Sequence, residues 1–179
     1  LYQNPETEWS IEHVHPQNPK LIKSTEEALE WLGDYEVRYK DEDSGSDNID
    51  KIAKLKEELQ ALDSNTIPTE LSNRIKEFSD TVNDALGLHN IGNQALLDKN
   101  TNSKIGNKSF LKKRALILSE SDNTKGSYIP LGTINNFLKK TTNTGKDKSI
   151  KVSYWSTQDA EDYKEDIKKL LVEFLPKSI

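Results

Sequence analysis

Trp9-Ser10-Ile11-Glu12-His13-Val14-His15-Pro16 is the stretch on which the fold of this chain turns. Trp9, Ile11 and His13 alternate, which predicts a short strand. On a strand His13 and His15 share a face and Glu12 points the other way. Two of the chain's three histidines fall within three positions, beside a carboxylate and before a proline. A lone histidine is usually structural, but this grouping points to chemistry. The second deciding stretch runs from Gly92-Asn93-Gln94-Ala95-Leu96-Leu97-Asp98 through Asn100, Asn102 and Asn107 to Phe110. Ile91 to Leu97 predicts a strand. Asparagines at this density read first as turns, because Asn tolerates left-handed backbone and caps helices. A polar loop is therefore expected after Leu97, and a helix over Ser109 to Leu118.

Outward from these stretches the chain is mostly helical. Between them lies a block of about 20–87. Ser24 followed by Glu27 is a capping-box pattern, and Ala28, Leu29, Trp31 and Leu32 follow it. Asp41 to Asp50, with Ser44, Gly45 and Ser46, reads as an acidic loop. Ile49, Ile52, Leu55, Leu59 and Leu62 have helical spacing. Pro68 opens a third helix with Leu71, Ile75, Phe78 and Val82 on one face, and Gly87 is the expected C-cap. These stripes read as core. Beyond Tyr128, a short helix is expected at Thr133 to Lys140 and a loop at Lys146 to Ser149. Ile150, Val152 and Tyr154 alternate as a strand would. Ser156 then caps a closing helix carrying Ala160, Tyr163, Ile167, Leu170, Leu171 and Phe174.

Composition bounds the possibilities. At 179 residues the chain can hold one domain with a real core and a sizeable insertion. The absence of cysteine excludes disulfides, cysteine nucleophiles and thiolate zinc sites, and fits a reducing compartment. No apolar run approaches the roughly 18–20 residues that span a bilayer, so no membrane partner is expected. No signal-peptide pattern opens the chain. There is no methionine and the first residue is Leu1, so the chain is expected to be a fragment of a longer protein, its C-terminal part by the resemblance described below. The net charge of -5 hides a split: residues 20–90 carry 9 Lys/Arg and 17 Asp/Glu, whereas residues 98–151 carry 12 Lys/Arg and 4 Asp/Glu. The basic part suits a polyanion such as DNA, although a solvated lysine surface has the same composition.

Glu12-His13-x-x-Pro16 resembles the first motif of HNH (His-Me finger) nucleases. Ile11-Glu12-His13 running into Pro16-Gln17 is similar to one branch, the C-terminal nuclease domain of GmrSD-type modification-dependent (type IV) restriction enzymes. The second signature of that branch is matched by Gly92-Asn93, Leu96-Leu97, Asn102-Ser103, Asn107 and Phe110, with Lys112 and Lys113 beyond. The likeness covers about a third of the chain well and the Tyr154-Trp155 region more loosely. His15 departs from the aliphatic residue usual there, and the helical block between the motifs is long.

The resemblance implies a helix-rich α+β fold: a ββα-metal core at about 8–19 and 88–118, a helical insertion at about 20–87, and a strand-helix extension at about 128–179. It implies a metal-dependent endonuclease that hydrolyses DNA phosphodiester bonds in an anti-phage restriction system. His13 would be the general base, suited to that task by an ordinary pKa near 6.5. Asn93 would orient the imidazole or brace the hairpin. Glu12 and Asn102, with His15 as a further candidate, would hold a single Mg²⁺ or Mn²⁺. Lys104, Lys108, Lys112 and Lys113 would hold backbone phosphates. The implied partners are phage DNA with modified cytosines and an N-terminal nucleotide-dependent domain of the same protein, in a prokaryotic cytoplasm. Two alternatives stand beside this one. One is a zinc hydrolase using His13, His15 and His89, with Glu12 as base. The other is a non-catalytic binding module on the same fold, with the acidic helical block as its working surface.

Overall fold

The computed structural model describes residues 8–16, 22, 24–41, 46–122, 128–142 and 150–174. The fold is mixed α+β and rich in helix. The chain divides into two compact units: Pro16–Leu88, and Leu1–His15 together with His89–Ile179.

The first unit is built from α1 (Thr25–Asp41), α2 (Ser46–Gln60) and α3 (Thr69–Leu86). The Ser24 hydroxyl accepts from the Glu27 N–H at 3.2 Å, which starts α1 as the capping pattern predicts. The expected apolar stripes meet in one core: Ala28, Trp31, Leu32 and Tyr35 of α1, Ile52, Leu55 and Leu59 of α2, and Leu71, Ile75, Phe78 and Val82 of α3. Trp31 and Phe78 meet edge to face at 6.1 Å. Gly87 ends α3 in the left-handed region (φ 59°), and its N–H reaches the Asn83 and Asp84 carbonyls. The acidic loop expected at Asp41 to Asp50 is helical at both its ends. Asp41 belongs to α1 and Ser46 to Asp50 to α2; residues 42–45 lie outside the described residues. Asp47 in the first turn of α2 suits the helix dipole, and that favours helix over loop.

The second unit holds an antiparallel pair, β1 (Trp9–His13) and β2 (Gln94–Asp98), in the register Trp9↔Asp98 to His13↔Gln94. A 3-10 turn at Ile91–Asn93 leads into β2. Helix α4 (Lys99–Ile105) follows β2 at once, where a polar loop was expected. The Asp98 carboxylate explains this: Oδ1 accepts from the Asn100 and Thr101 N–H groups, both at 3.0 Å. Thr101 and Ile105, four apart, then turn one helix face inward. Helix α5 (Phe110–Asp122) runs a turn beyond the predicted helix, and α6 spans Leu131–Phe137.

The two faces of the hairpin differ. Ala95 and Leu97 join a core with Val14, Ile105, Phe110, Ile117, Phe137 and Trp155. Ile11 and its cross-strand partner Leu96 are exposed. The strand expected over Ile150 to Trp155 does not form. Alternation breaks there, because the adjacent Tyr154 and Trp155 are both buried while Ile150 and Val152 are exposed. The loop expected at Lys146 to Ser149 lies outside the described residues. Ser156 and Asp159 form a complete capping box at the start of α7 (Thr157–Leu171). Ala160 packs into the core and Tyr163 against it, but Leu170, Leu171 and Phe174 of the expected apolar face are exposed.

A buried ion pair joins the end of α6 to α7. Lys139 Nζ reaches Asp159 Oδ2 at 2.6 Å and lies 5.3–5.8 Å from the ring centres of Phe110, Tyr154 and Trp155. Nothing in the sequence pattern marks Lys139 as buried.

Adjacent residues of β2 test this face assignment. Leu97→Ala should destabilise the chain by about 2–5 kcal/mol, as a core truncation does. Leu96→Ala should stay within about 0.5 kcal/mol in the same urea titration.

Candidate active site

The two sequence motifs lie far apart in the chain and meet through Asn93. Its side chain is buried, and Oδ1 accepts from the His15 N–H at 2.6 Å. The Asn93 amide also donates to the His15 carbonyl at 3.4 Å, and the Val14 N–H donates to the Asn93 carbonyl at 2.9 Å. One asparagine thus clamps the backbone that leaves β1. Asn90 shapes the turn before it by accepting from the Gly92 N–H at 3.1 Å. Gly92 has a steric reason of its own. A Cβ there would lie 2.2 Å from the Ala160 carbonyl oxygen, so α7 can pack against this turn only over a glycine. Trp155 Nε1 donates to the Gly92 carbonyl at 3.2 Å and closes the junction.

Asn102 and Glu12 stand on the covered face of the hairpin. Asn102 Nδ2 donates to Ser10 Oγ at 2.8 Å and to the Ile11 carbonyl at 3.4 Å, tying α4 to β1. Glu12 is buried and paired with Lys113, whose Nζ also donates to the His13 carbonyl at 2.7 Å. Lys113 has no exposed surface, so it is not the solvent-facing phosphate contact expected of it. Phe110, Lys113 and Ile117 are all buried at helical spacing, so Lys113 sits on the inner stripe of α5. That spacing was visible in the sequence. Burial pushes the Glu12 carboxyl above its usual range and the Lys113 ammonium below its own, each against the pull of the other.

His13 ends β1, half buried. Its ring lies 5.4 Å from that of His89, at 74° between planes. Its Nε2 is sealed from water and has no hydrogen-bond partner among the described residues. Burial, then the charges of His89 and Lys113, hold the His13 imidazole below the usual histidine value. It is therefore neutral at pH 7, the form that can take a proton. His15 is buried, with its backbone in the Asn93 clamp.

The remaining lysines are partly engaged. Lys104 pairs with Glu120 at 3.1 Å, and Lys108 Nζ caps the Lys104 and Ile105 carbonyls at the end of α4. Lys112 is exposed on α5. The helical unit has a separate groove, lined by Lys51, Lys54, Leu55, Arg74 and Phe78, and it contains none of the candidate residues.

As cation donors, Glu12 and Asn102 offer one carboxylate and one amide oxygen on the same hairpin face. A divalent ion takes such donors when several of its own waters complete its shell. Lys113 already holds the carboxylate, so an ion would share or replace that contact. Among the described residues no group of three or more His, Asp or Glu side chains is placed to hold a metal. His13 and His89 meet, but His15 does not complete the zinc set with them.

No family model, curated protein or solved structure matches this chain.

Two outcomes test this geometry. Lys113→Ala leaves a buried carboxylate unpaired and should cost about 3–5 kcal/mol, whereas Glu12→Leu with Lys113→Met should cost much less in a double-mutant cycle. The depressed His13 pKa means that the unfolded chain binds its proton first as pH falls. Stability contributed above about pH 6.5 should therefore be lost on acidification, and His13→Asn should flatten that slope in urea midpoints at pH 7.5 and 5.0.

Proposed function

We propose that this chain is an HNH-type, metal-dependent endonuclease acting on DNA phosphodiester bonds. The observation that carries this reading is the convergence of the two motifs. The strand bearing His13, the strand that follows Asn93 and the helix bearing Asn102 pack in consecutive contact, strand to strand to helix. Hydrolysis needs a deprotonated water in line with the leaving oxygen, and positive charge on the crowded phosphate.

In this reading His13 takes the water proton in its neutral form, and its Nε2, closed to water in this structure, is uncovered when DNA binds. Asn93 keeps the imidazole in place indirectly, by fixing the backbone of Val14 and His15. Lys113 holds the His13 carbonyl and sets the charge beside Glu12. Glu12 and Asn102 would hold a Mg²⁺ or Mn²⁺, which supplies positive charge to the phosphate and the leaving 3′-oxygen. Lys104 and Lys112, both exposed, would turn from their present contacts to backbone phosphates. Phage DNA with modified cytosines, a restriction role and an N-terminal nucleotide-dependent partner domain belong to the same proposal by analogy with the branch it resembles.

The Lys113 contact with Glu12 favours one second reading. A lysine held where a cation would sit suits a DNA-binding module that no longer cuts, and such a module binds DNA without metal-dependent cleavage.

Nicking of supercoiled plasmid, unmodified or with modified cytosines, in Mg²⁺, Mn²⁺ or EDTA tests the proposal. Metal-dependent nicking that falls at least about 10³-fold in folded His13→Ala is expected. Equal nicking by that variant overturns the mechanism. Absence of nicking of either DNA by the folded chain overturns the nuclease reading for it.

A further inference from the structure

His13 is not alone at the end of β1. The ring against it belongs to His89, 76 positions away in the sequence and 5.4 Å away between ring centres. The two imidazoles differ in setting: His13 is half buried and His89 is exposed. His89 is nevertheless held in place. Its carbonyl accepts from Gln94 Nε2 at 3.2 Å, and Gln94 is the cross-strand partner of His13. The next residue, Asn90, is fixed through the Gly92 N–H and through the Asn93 N–H, which donates to its carbonyl at 2.8 Å. The turn that delivers the Asn93 clamp therefore also delivers a solvent-facing imidazole to the rim beside His13.

We propose that His89 is a substrate-binding residue of this site. Its ring N–H donates to a non-bridging oxygen of the phosphodiester on which His13 acts. The inference rests on the nuclease reading above. An exposed imidazole suits this task because its ring N–H can reach an approaching phosphate oxygen, and a hydrogen bond to that anion is charge-assisted. The buried neighbour suits the opposite task of accepting a proton. Exposure thus divides the labour between two side chains of identical chemistry.

The rival explanation is that His89 only packs against His13. Two substitutions in the full chain separate them. His89→Phe keeps a ring against His13 and removes the donor. His89→Lys keeps a donor and a charge and removes the ring. The readouts are anisotropy of a fluorescein-labelled DNA duplex and steady-state nicking. His89→Phe should raise Kd and KM about tenfold, the loss of one charge-assisted hydrogen bond, with a smaller effect on kcat. His89→Lys should recover most of that loss. Unchanged Kd and KM in His89→Phe overturns the inference while leaving the nuclease intact. A fall confined to kcat, or equal damage in both variants, also overturns it in favour of packing. Failure of the unsubstituted chain both to bind and to nick DNA overturns the nuclease reading and this inference together.

Discussion

A lysine ammonium without access to water must find oxygen atoms, and Lys113 finds them on the strand that carries His13. Its partners are the Glu12 carboxylate and the His13 carbonyl. An unpaired charge at that depth would cost several kcal/mol, so α5 and β1 can separate only at great expense. The pair thereby fixes the end of β1. Glu12 is turned toward the helices, and the His13 ring is left at the strand end beside His89.

The other contacts in this unit lock onto that arrangement. Asn93 clamps the chain just past His13, and Asn102 ties the first helix after the hairpin back to Ser10 and Ile11. Gly92 lets α7 approach to backbone contact, and Lys139 with Asp159 binds the end of α6 to the same helix. Apart from the Gly92 approach, each of these contacts uses a polar side chain in a buried or half-buried setting. Such contacts are directional in a way that apolar packing is not, and they suit a site that must hold few atoms at fixed spacing.

The helical unit is organised differently. Its core is a meeting of three apolar stripes, and its surface ion pairs, such as Arg74 with Glu58, are exposed and contribute little to stability. Among the described residues no helix in either unit is long and apolar enough to cross a membrane.

Much of this was legible in the residues themselves. Helical periodicity, Ser24, Ser156 and Gly87 are local signals, and they marked α1, α3 and α7 because a helix is determined mainly by its own residues. The alternation around His13 marked β1 for the same reason. The strand expected at Ile150 to Trp155 failed because alternation describes a face only when a neighbouring strand pairs with it, and none does among the described residues. The loop expected after Leu97 failed because a single cap, Asp98, outweighed the turn preference of Asn100 and Asn102. The candidate site divides in the same way. The sequence by itself determined which residue types stand near His13 and Asn93, since motif and spacing are local properties. Tertiary structure alone decided that Lys113 meets Glu12, that His89 faces His13, and that Asn93 works on the backbone. Those facts depend on which segments, tens of residues apart, come to share a desolvated volume.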